Sequence, residues 1–462
     1  MTQSVLLPNP TLREPARRVP TRVGRRYFIR TFGCQMNEHD SERIAGLFEV
    51  DGMTPAAGFE SADVVYINTC TIRENADNRM YGNLGQLKAV KDLNPEMMLV
   101  VGGCAAQKDR DLVRERAPWV DVVMGTHNLD RVLDLIDHAE HWGPITEVVD
   151  ELQAMPSSLP VKRELEHSAW VTIQVGCNNS CTFCIVPSVR GVEVSRRPGD
   201  IVREVDRLAS DGVVEVTLLG QNVDTYGRDL ALNGKRRPIF GELLRRVGEV
   251  DGIRRVRFTS PHPNDFREDV AHAMADTEEV CEHLHFPLQS GSDRILRAMH
   301  RGYNRKKYTE RLAMAREIIP GLAVSTDVIV GFPGETEEDF AITLEVVEEA
   351  RFDSAFMFIF SPRPGTAAAE LTEQFVPEDL IRERFARLSE LQNRISGERN
   401  AEMVGSKVEV LSEGPSRKNP QVATTRTRTS KVVHVAGPHH AGTFLTVEIG
   451  KAHQHHLVGS AV

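Results

Sequence analysis

The chain has 462 residues, 40% of them hydrophobic and 26% charged, and a net charge of −10 at pH 7. That length calls for two or three domains, and that apolar content is enough for buried cores. No run of about eighteen apolar residues occurs, which excludes a membrane-spanning helix, and the N-terminus lacks the apolar core of a signal peptide. The seven cysteines are odd in number and scattered, which speaks against a secreted disulfide framework and for a reducing, cytoplasmic setting.

Residues 1–26 hold six arginines against one acid, Glu14, with four prolines, so residues 1–24 are expected to be a disordered basic arm. From residue 25 to 142 short apolar runs alternate with helical patterns, the signature of a parallel α/β sheet. Arg26 to Phe32 is a strand-like run ending at Gly33-Cys34, Ala62 to Asn68 a second ending at Thr69-Cys70, and Met97 to Val101 a third ending at Gly102-Gly103-Cys104. The cysteines are 36 and 34 residues apart, each about one βα repeat. In a parallel sheet all strands point the same way, so three thiols at strand C-termini meet at the edge where open α/β sheets bind ligands. Cys34, Cys70 and Cys104 therefore form one candidate metal site. Cys281 begins a strand-like run without such partners and reads as a buried filler.

Residues 143–165, with Pro144, Pro156 and Pro160, read as a linker. Residues 166–399 carry apolar runs near 170–176, 213–219, 253–259, 281–288, 322–331 and 353–360, separated by helical patterns. Six βα units fit a partial barrel, with chemistry at the C-terminal strand ends. Cys177, Cys181 and Cys184 follow its first strand at the spacing CxxxCxxC. A closed structural zinc site takes four protein ligands, whereas an iron–sulfur cluster on three cysteines keeps one iron open. Polar clusters follow the later strands: Gly220-Gln221-Asn222, Thr259-Ser260-Pro261-His262-Pro263, Gln289-Ser290-Gly291-Ser292 and Gly331-Phe332-Pro333-Gly334-Glu335. His262 reads as a proton donor or, more simply, as a turn residue. Asp327 is a carboxylate on an otherwise apolar strand.

Residues 400–462 change texture to short alternating strands, so a small antiparallel β-barrel is expected. This segment has a net charge of +3 inside an acidic chain. Arg426, Arg428 and Lys431 alternate with Thr and Ser and are the candidate RNA-binding cations, whose grip on phosphates would be salt dependent. His453, His455 and His456 read as surface residues of a polar tail.

The CxxxCxxC triplet resembles the radical S-adenosylmethionine (SAM) family. The segments Thr31-Phe32-Gly33-Cys34-Gln35-Met36-Asn37-Glu38 and Asn68-Thr69-Cys70-Thr71-Ile72-Arg73-Glu74-Asn75-Ala76 are similar to the N-terminal domain of methylthiotransferases, in its MiaB-like, tRNA-modifying branch. Gln35-Met36 differs from the Pro-Lys and Lys-Val that follow the first cysteine in the two sister branches. Those branches act on a ribosomal-protein aspartate and on threonylcarbamoyl-adenosine tRNA.

The resemblance implies two [4Fe–4S] clusters, one on Cys177, Cys181 and Cys184 that binds and cleaves SAM, and an auxiliary one on Cys34, Cys70 and Cys104. It implies SAM contacts among Phe183, Gln221, Asn222, Gln289, Asp327, Gly331 and Glu335, and a tRNA-binding TRAM domain at residues 400–462. The implied reaction turns C2–H of N6-isopentenyladenosine at tRNA position 37 into C2–SCH₃, with one SAM as radical source and another as methyl donor. A reducing electron-donor protein is an expected partner, and a monomer is expected because no heptad repeat is present. A non-catalytic RNA-binding protein with structural metal is the alternative of another class; it calls for four-ligand sites and no SAM turnover.

Overall fold

The computed structural model describes residues 19–71, 74–150, 159–231, 234 and 236–462, with the side chains of 74–78 left aside. The first eighteen residues of the expected arm, the middle of the expected linker and Ile72-Arg73 of the second cysteine motif lie outside that set. The chain divides into two compact units, Met1–Glu164 and Leu165–Val462.

The first unit contains β1 (Arg26–Thr31), α1 (Gln35–Val50), β2 (Thr54–Pro55), β3 (Val64–Thr69), α2 (Glu74–Leu93), β4 (Met98–Gly103), α3 (Cys104–Asp109), α4 (Leu112–Arg116), β5 (Val122–Met124), α5 (Val132–Trp142) and β6 (Ile145–Glu147). Its sheet has the order β2-β1-β3-β4-β5-β6, and every pairing is parallel. Both β3 and β4 are buried along their whole length, as central parallel strands are. Because successive side chains point to opposite faces, Val64, Tyr66 and Val100 join Ile44, Phe48 and Ile136 in one core. Val65, Ile67, Leu99 and Val101 join Met80 and Leu84 in the other.

Two expectations change here. The stretch read as linker supplies β6, because Ile145–Glu147 adds a sixth parallel strand to β5. Residues 19–24, assigned to the arm, belong to the folded unit. Arg22 is buried and pairs with Asp51 at 2.7 Å, Asp137 at 2.6 Å and Glu140 at 3.0 Å.

The second unit begins with β7 (Ser168–Thr172), β8 (Gln174–Val175), α6 (Val186–Arg190), β9 (Val194–Ser195), α7 (Pro198–Ser210), β10 (Glu215–Leu219), α8 (Phe240–Gly248), β11 (Arg255–Phe258) and α9 (Glu268–Asp276). It continues with β12 (His283–His285), α10 (Asp293–Ala298), α11 (Arg305–Ile318), β13 (Ala323–Val330), α12 (Glu337–Ala350), β14 (Ser354–Ile359) and α13 (Glu378–Ala401). Two all-parallel sheets, β7-β10-β11 and β12-β13-β14, are joined by a parallel bridge between Val256 and Val280. Among the described residues no pairing closes β7 onto β14, so the six strands form an open arc lined outside by helices. One continuous apolar core runs through them, from Val171 and Val216 to Val328 and Phe340.

The last five strands are β15 (Lys407–Pro415), β16 (Val422–Thr427), β17 (Val432–Ala436), β18 (Phe444–Ala452) and β19 (Leu457–Ala461). They close into a barrel of order β15-β16-β17-β19-β18 around Val410, Val433, Val435, Val447, Ile449 and Leu457. The expected antiparallel barrel has one parallel pair, β17 with β19.

This barrel is fastened to the arc by arginines from both sides. Fully buried Arg255 donates to the Arg426 carbonyl at 2.8 Å and to Glu409 Oε1 at 3.1 Å. Arg257 donates to the carbonyls of Thr427 and Arg428, to Ser430 Oγ and to Glu215 Oε2, all between 2.8 and 2.9 Å. Arg254 lies over the Phe444 ring, 3.6 Å from its centroid. Arg257→Ala leaves Glu215 without its partner and three barrel acceptors unmet, so it is expected to weaken this docking by about 3–5 kcal/mol. Amide exchange should then speed up across β16 while β7 keeps its protection.

Candidate active site

Three adjacent parallel strands, β1, β3 and β4, each deliver a cysteine at the C-terminal edge. Cys34 is the N-cap of α1, Cys70 follows β3 and Cys104 opens α3. Cys34 is half-buried, and Cys70 and Cys104 are buried. A polar lattice stitches the three strand ends together. Asn37 Nδ2 donates to Asn68 Oδ1 and to the Thr69 carbonyl, both at 2.9 Å, and Thr69 Oγ1 donates to the Gly102 carbonyl at 2.7 Å. Cys34 Sγ lies 3.5 Å from Asn37 Oδ1. Gly103, at φ +91°, turns the chain toward Cys104 where any Cβ would come within 2.3 Å of Asn68 Oδ1. Asn37 and Asn68 lie in the motif quoted above, but nothing local to them foretold a bond across 31 residues.

The second thiol set lies on the loop between β8 and α6. Gly176 sits at φ +81°, with the space for a Cβ only 2.0 Å from the Val192 carbonyl. The loop is pinned at its start and in the middle. Gly176 N donates to Gln221 Oε1 at 2.5 Å, Cys177 N to the Gly191 carbonyl at 3.1 Å and Thr182 N to the Met299 carbonyl at 3.1 Å. Glu193 accepts from Asn178 N at 3.2 Å, and its own amide donates to Asn178 Oδ1 at 3.1 Å.

Each of the three sulfurs faces an N–H donor. Asn179 N points at Cys177 Sγ and Val186 N at Cys184 Sγ, both at 3.5 Å, and Arg301 Nη1 points at Cys181 Sγ at 3.3 Å. Donors aimed at sulfur favour thiolates, the form that binds metal. Burial, reinforced by the neighbouring thiols, outweighs these donors and pushes Cys177 up to about 12 and Cys184 up to about 11. The donor set therefore fits a cluster whose own charge overcomes that burial. Among the described residues no three His, Cys, Asp or Glu side chains form a ready metal cage.

The candidate SAM contacts separate into two groups. Four serve the protein's own structure. Gln221 anchors Gly176, and Phe183 packs with Ile295, Met299, Phe332 and Ala368. Gly331, at φ +76°, is required for packing, because a Cβ would meet Ile381 at 2.6 Å. Glu335 Oε2 accepts from Gly331 N at 2.9 Å and from Arg384 Nη1 at 3.1 Å. Burial raises that carboxyl to about 7 even against Arg384.

The other three lie on or just past the strands of the arc. Asn222 donates to Asp265 at 2.9 Å but leaves a buried Oδ1 without a partner. Gln289, at φ +65°, bridges its backbone to Val328, beside Asp327. Asp327 pairs with His285 at 3.3 Å on the inner face of β13. Further buried atoms without partners are Thr172 Oγ1, Gln174 Oε1, Asp224 Oδ1 and His262 Nε2. Buried polar atoms are normally satisfied, so this row fits a polar ligand such as SAM.

His262 behaves as a turn residue. Its Nδ1 accepts from Asn264 N at 3.2 Å, and burial, with Arg301, Lys307 and Arg311 nearby, lowers it to about 2 and keeps it neutral. Asp224 accepts from His262 N at 2.8 Å, and burial raises it from 3.8 to about 8. The folded chain thus holds a proton that the unfolded chain releases across that window, so this group's contribution to stability falls as pH rises through it. Asp224→Asn removes the titration. Its thermal midpoint relative to the parent is expected to climb steadily from about pH 4 to about pH 8, and a constant difference would contradict this.

The candidate RNA cations have another task. Arg428 makes a bidentate pair with Glu282 and donates to the carbonyls of Glu278 and Val280. Lys431 pairs with Asp353 at 2.8 Å, and Arg426 with Glu413 at 2.6 Å. Arg428 and Lys431 hold the barrel to the arc, and Arg426 is tied within the barrel. Cys281, buried among Arg255, Arg257 and Arg428, is the filler expected.

Comparison with known proteins decides the family. The chain is 53% identical over 445 residues to the tRNA-2-methylthio-N(6)-dimethylallyladenosine synthase of Thermobifida fusca, covering 95% of this chain and 89% of that protein. It is 54% identical over 457 residues to the protein of the same name in Mycobacterium bovis, covering 97% and 88%. The chain belongs to the tRNA-2-methylthio-N(6)-dimethylallyladenosine synthase family.

Consistent with membership, the radical SAM superfamily model matches residues 171–347 and the model described as uncharacterized protein family UPF0004 matches residues 26–125. The chain also resembles a solved radical SAM methyltransferase, TsrM from Kitasatospora setae. The TM-score is 0.54 at 14% identity, with 76% of each chain covered, a likeness of fold alone. Synthases of this family are radical SAM transferases, and membership implies SAM and [4Fe–4S] clusters as cofactors.

Arg301, Glu193 and Asp224 were missed by sequence reasoning. Arg301 stands in the unremarkable turn His300-Arg301-Gly302-Tyr303, 120 residues beyond the thiol it contacts. No local pattern ties the two.

Proposed function

We infer that this chain methylthiolates C2 of N6-isopentenyladenosine at tRNA position 37, consuming one SAM for the radical and one for the methyl group. The observation that supports this most is the pair of three-cysteine sets, each placed by parallel strands at a C-terminal edge, in a chain more than half identical to synthases named for that product. An aromatic C–H has neither an acidic proton nor a leaving group, so the reaction calls for a radical and not for a general base. When bound, the clusters supply the electron that cleaves SAM, at Cys177, Cys181 and Cys184, and the sulfur to be transferred, at Cys34, Cys70 and Cys104.

The chain's own residues hold and orient. Gly176, Gln221 and Glu193 fix the path of the thiol loop, and the amides of Asn179 and Val186 aim at two of its sulfurs. Asn222, Gln289 and Asp327, with the partnerless atoms of Gln174 and Asp224, offer polar contacts to SAM. The buried wall of β7, β10 and β13 keeps water from a radical that would otherwise be quenched. Anaerobic reconstitution of the full chain should give about eight irons, two four-iron clusters, and reductive cleavage of SAM. Tightly held zinc without SAM turnover would reject the reading.

The C-terminal barrel serves as the tRNA grip through cations other than those that dock it. Lys407, Arg417, Lys418 and Lys451 are exposed, and among the described residues they form no ion pair. Arg417→Glu with Lys418→Glu is expected to weaken tRNA binding and to reduce its salt slope by roughly two; an unchanged slope would reject that role. The enzyme works in the cytoplasm as a monomer and takes its electrons from a reducing partner protein. None of its described helices is long and apolar enough to cross a membrane.

A further inference from the structure

Arg301 sits in the turn after α10, between His300 at φ +56° and Gly302 at φ +72°. Its side chain is buried and held from two directions. Nε donates to Tyr303 Oη at 3.1 Å, and Nη1 donates to Cys181 Sγ at 3.3 Å. Tyr303 Oη in turn donates toward the carbonyls of Pro287 at 2.8 Å and Leu288 at 3.1 Å, which fixes the ring that carries it. The same ring meets His262 edge-on at 5.8 Å. Arg301 is thus fixed by a chain of contacts reaching the ends of β11 and β12.

A buried charge is costly unless something of opposite sign faces it. Lysine or histidine relieves such a cost by losing a proton, but a guanidinium in a protein does not. Among the described residues Arg301 has no carboxylate partner; what it faces is a phenol and a sulfur. A permanent cation kept at this position, against one of three thiols on one loop, has its countercharge only when that sulfur carries negative charge.

We propose that Arg301 is a positioning residue for the cluster on Cys177, Cys181 and Cys184, donating a charge-assisted hydrogen bond to the Cys181 sulfur that raises the cluster's reduction potential. The inference rests on the reading that these three cysteines hold that cluster. Reduction adds an electron, and hydrogen bonds to cluster sulfur together with nearby positive charge favour the more negative state. Arg301 thereby eases the uptake of the electron on which SAM cleavage depends, without touching SAM chemistry itself.

The test uses the full chain, reconstituted and held at the potential where the parent cluster is half reduced. The electron paramagnetic resonance component that shifts on adding SAM reports this cluster separately from the other. Arg301→Met is expected to keep its iron while the ratio of reduced to oxidised cluster falls about tenfold, which is 59 mV for one electron. Arg301→Lys, which keeps the charge, should recover most of that loss, and Tyr303→Phe, which keeps the cation but loosens it, should lose about twofold.

Unchanged reduction in an iron-replete Arg301→Met protein would overturn the proposal, as would Lys and Met variants that behave alike. Should Arg301→Met fail to hold iron, the Lys and Tyr303→Phe proteins decide in its place: parent-like reduction in Tyr303→Phe with no iron recovered by lysine counts against it. A parent with eight irons but no SAM-responsive component would instead reject the assignment of the cluster to these cysteines, and the inference with it.

Discussion

Cys177→Ala is expected to abolish both SAM cleavage and methylthiolation and to lower the iron content by about four per chain, one cluster. The loop explains why a single thiol matters so much. Cys177 is the first residue past the Gly176 turn, its amide is bonded to Gly191 and its sulfur faces the Asn179 amide. No fourth cysteine lies on the loop to replace it: Cys281 is buried between the arc and the C-terminal barrel, beside Arg257 and Arg428. Iron analysis together with detection of 5′-deoxyadenosine checks the prediction. Retained cleavage would mean that the CxxxCxxC loop is not the SAM site.

Cys70→Ala is expected to separate the two activities. SAM cleavage should persist near the parent rate, while methylthiolated product falls below detection and again about four irons are lost. Cys70 terminates β3, the strand between β1 and β4, so its thiol is the middle member of the set. Its neighbours Asn68 and Thr69 bind toward both flanking strands, through Asn37 and Gly102. That lattice is built of side-chain amides, the Thr69 hydroxyl and backbone carbonyls, so the unit should still fold. Product formation by the Cys70→Ala enzyme would show that the N-terminal thiols are not the source of the inserted sulfur.

How far the sequence could be read depended on the range of the interactions involved. Cys34, Cys70 and Cys104 were legible as a set because strand direction is itself local: an apolar run followed by Gly-Cys or Thr-Cys places the thiol at a strand end, and parallel topology does the rest. The six strand runs of the arc were legible for the same reason. Glu335 shows where this stops. A carboxylate four residues after Gly331 reads identically whether it faces a ligand or a helix, and only Arg384, 49 residues on, makes it an internal anchor.

Arg426, Arg428 and Lys431 show the same limit with charge. Their alternation with Thr and Ser reads as one strand face, but only Arg426 lies on β16, while Arg428 and Lys431 fall in the turn before β17; Glu282 and Asp353, which engage Arg428 and Lys431, come from far earlier in the chain. The parallel β17–β19 pair was also beyond reach, since alternation fixes which side chains share a face and not which strand lies alongside. Conversely, the strand-like run that Cys281 opens, with no partner thiols at matching strand ends, was enough to read it as a filler, because burial of a lone thiol needs no partner.

The reaction proposed for this chain is methylthiolation of N6-isopentenyladenosine. It is tested most directly by mass spectrometry of nucleosides from isopentenylated tRNA after anaerobic incubation with the reconstituted full chain, SAM and a strong reductant. The expected product is the methylthio adduct of N6-isopentenyladenosine, dependent on both cysteine sets. Cleavage of SAM with that nucleoside untouched would contradict it, leaving the radical chemistry in place and the substrate wrong.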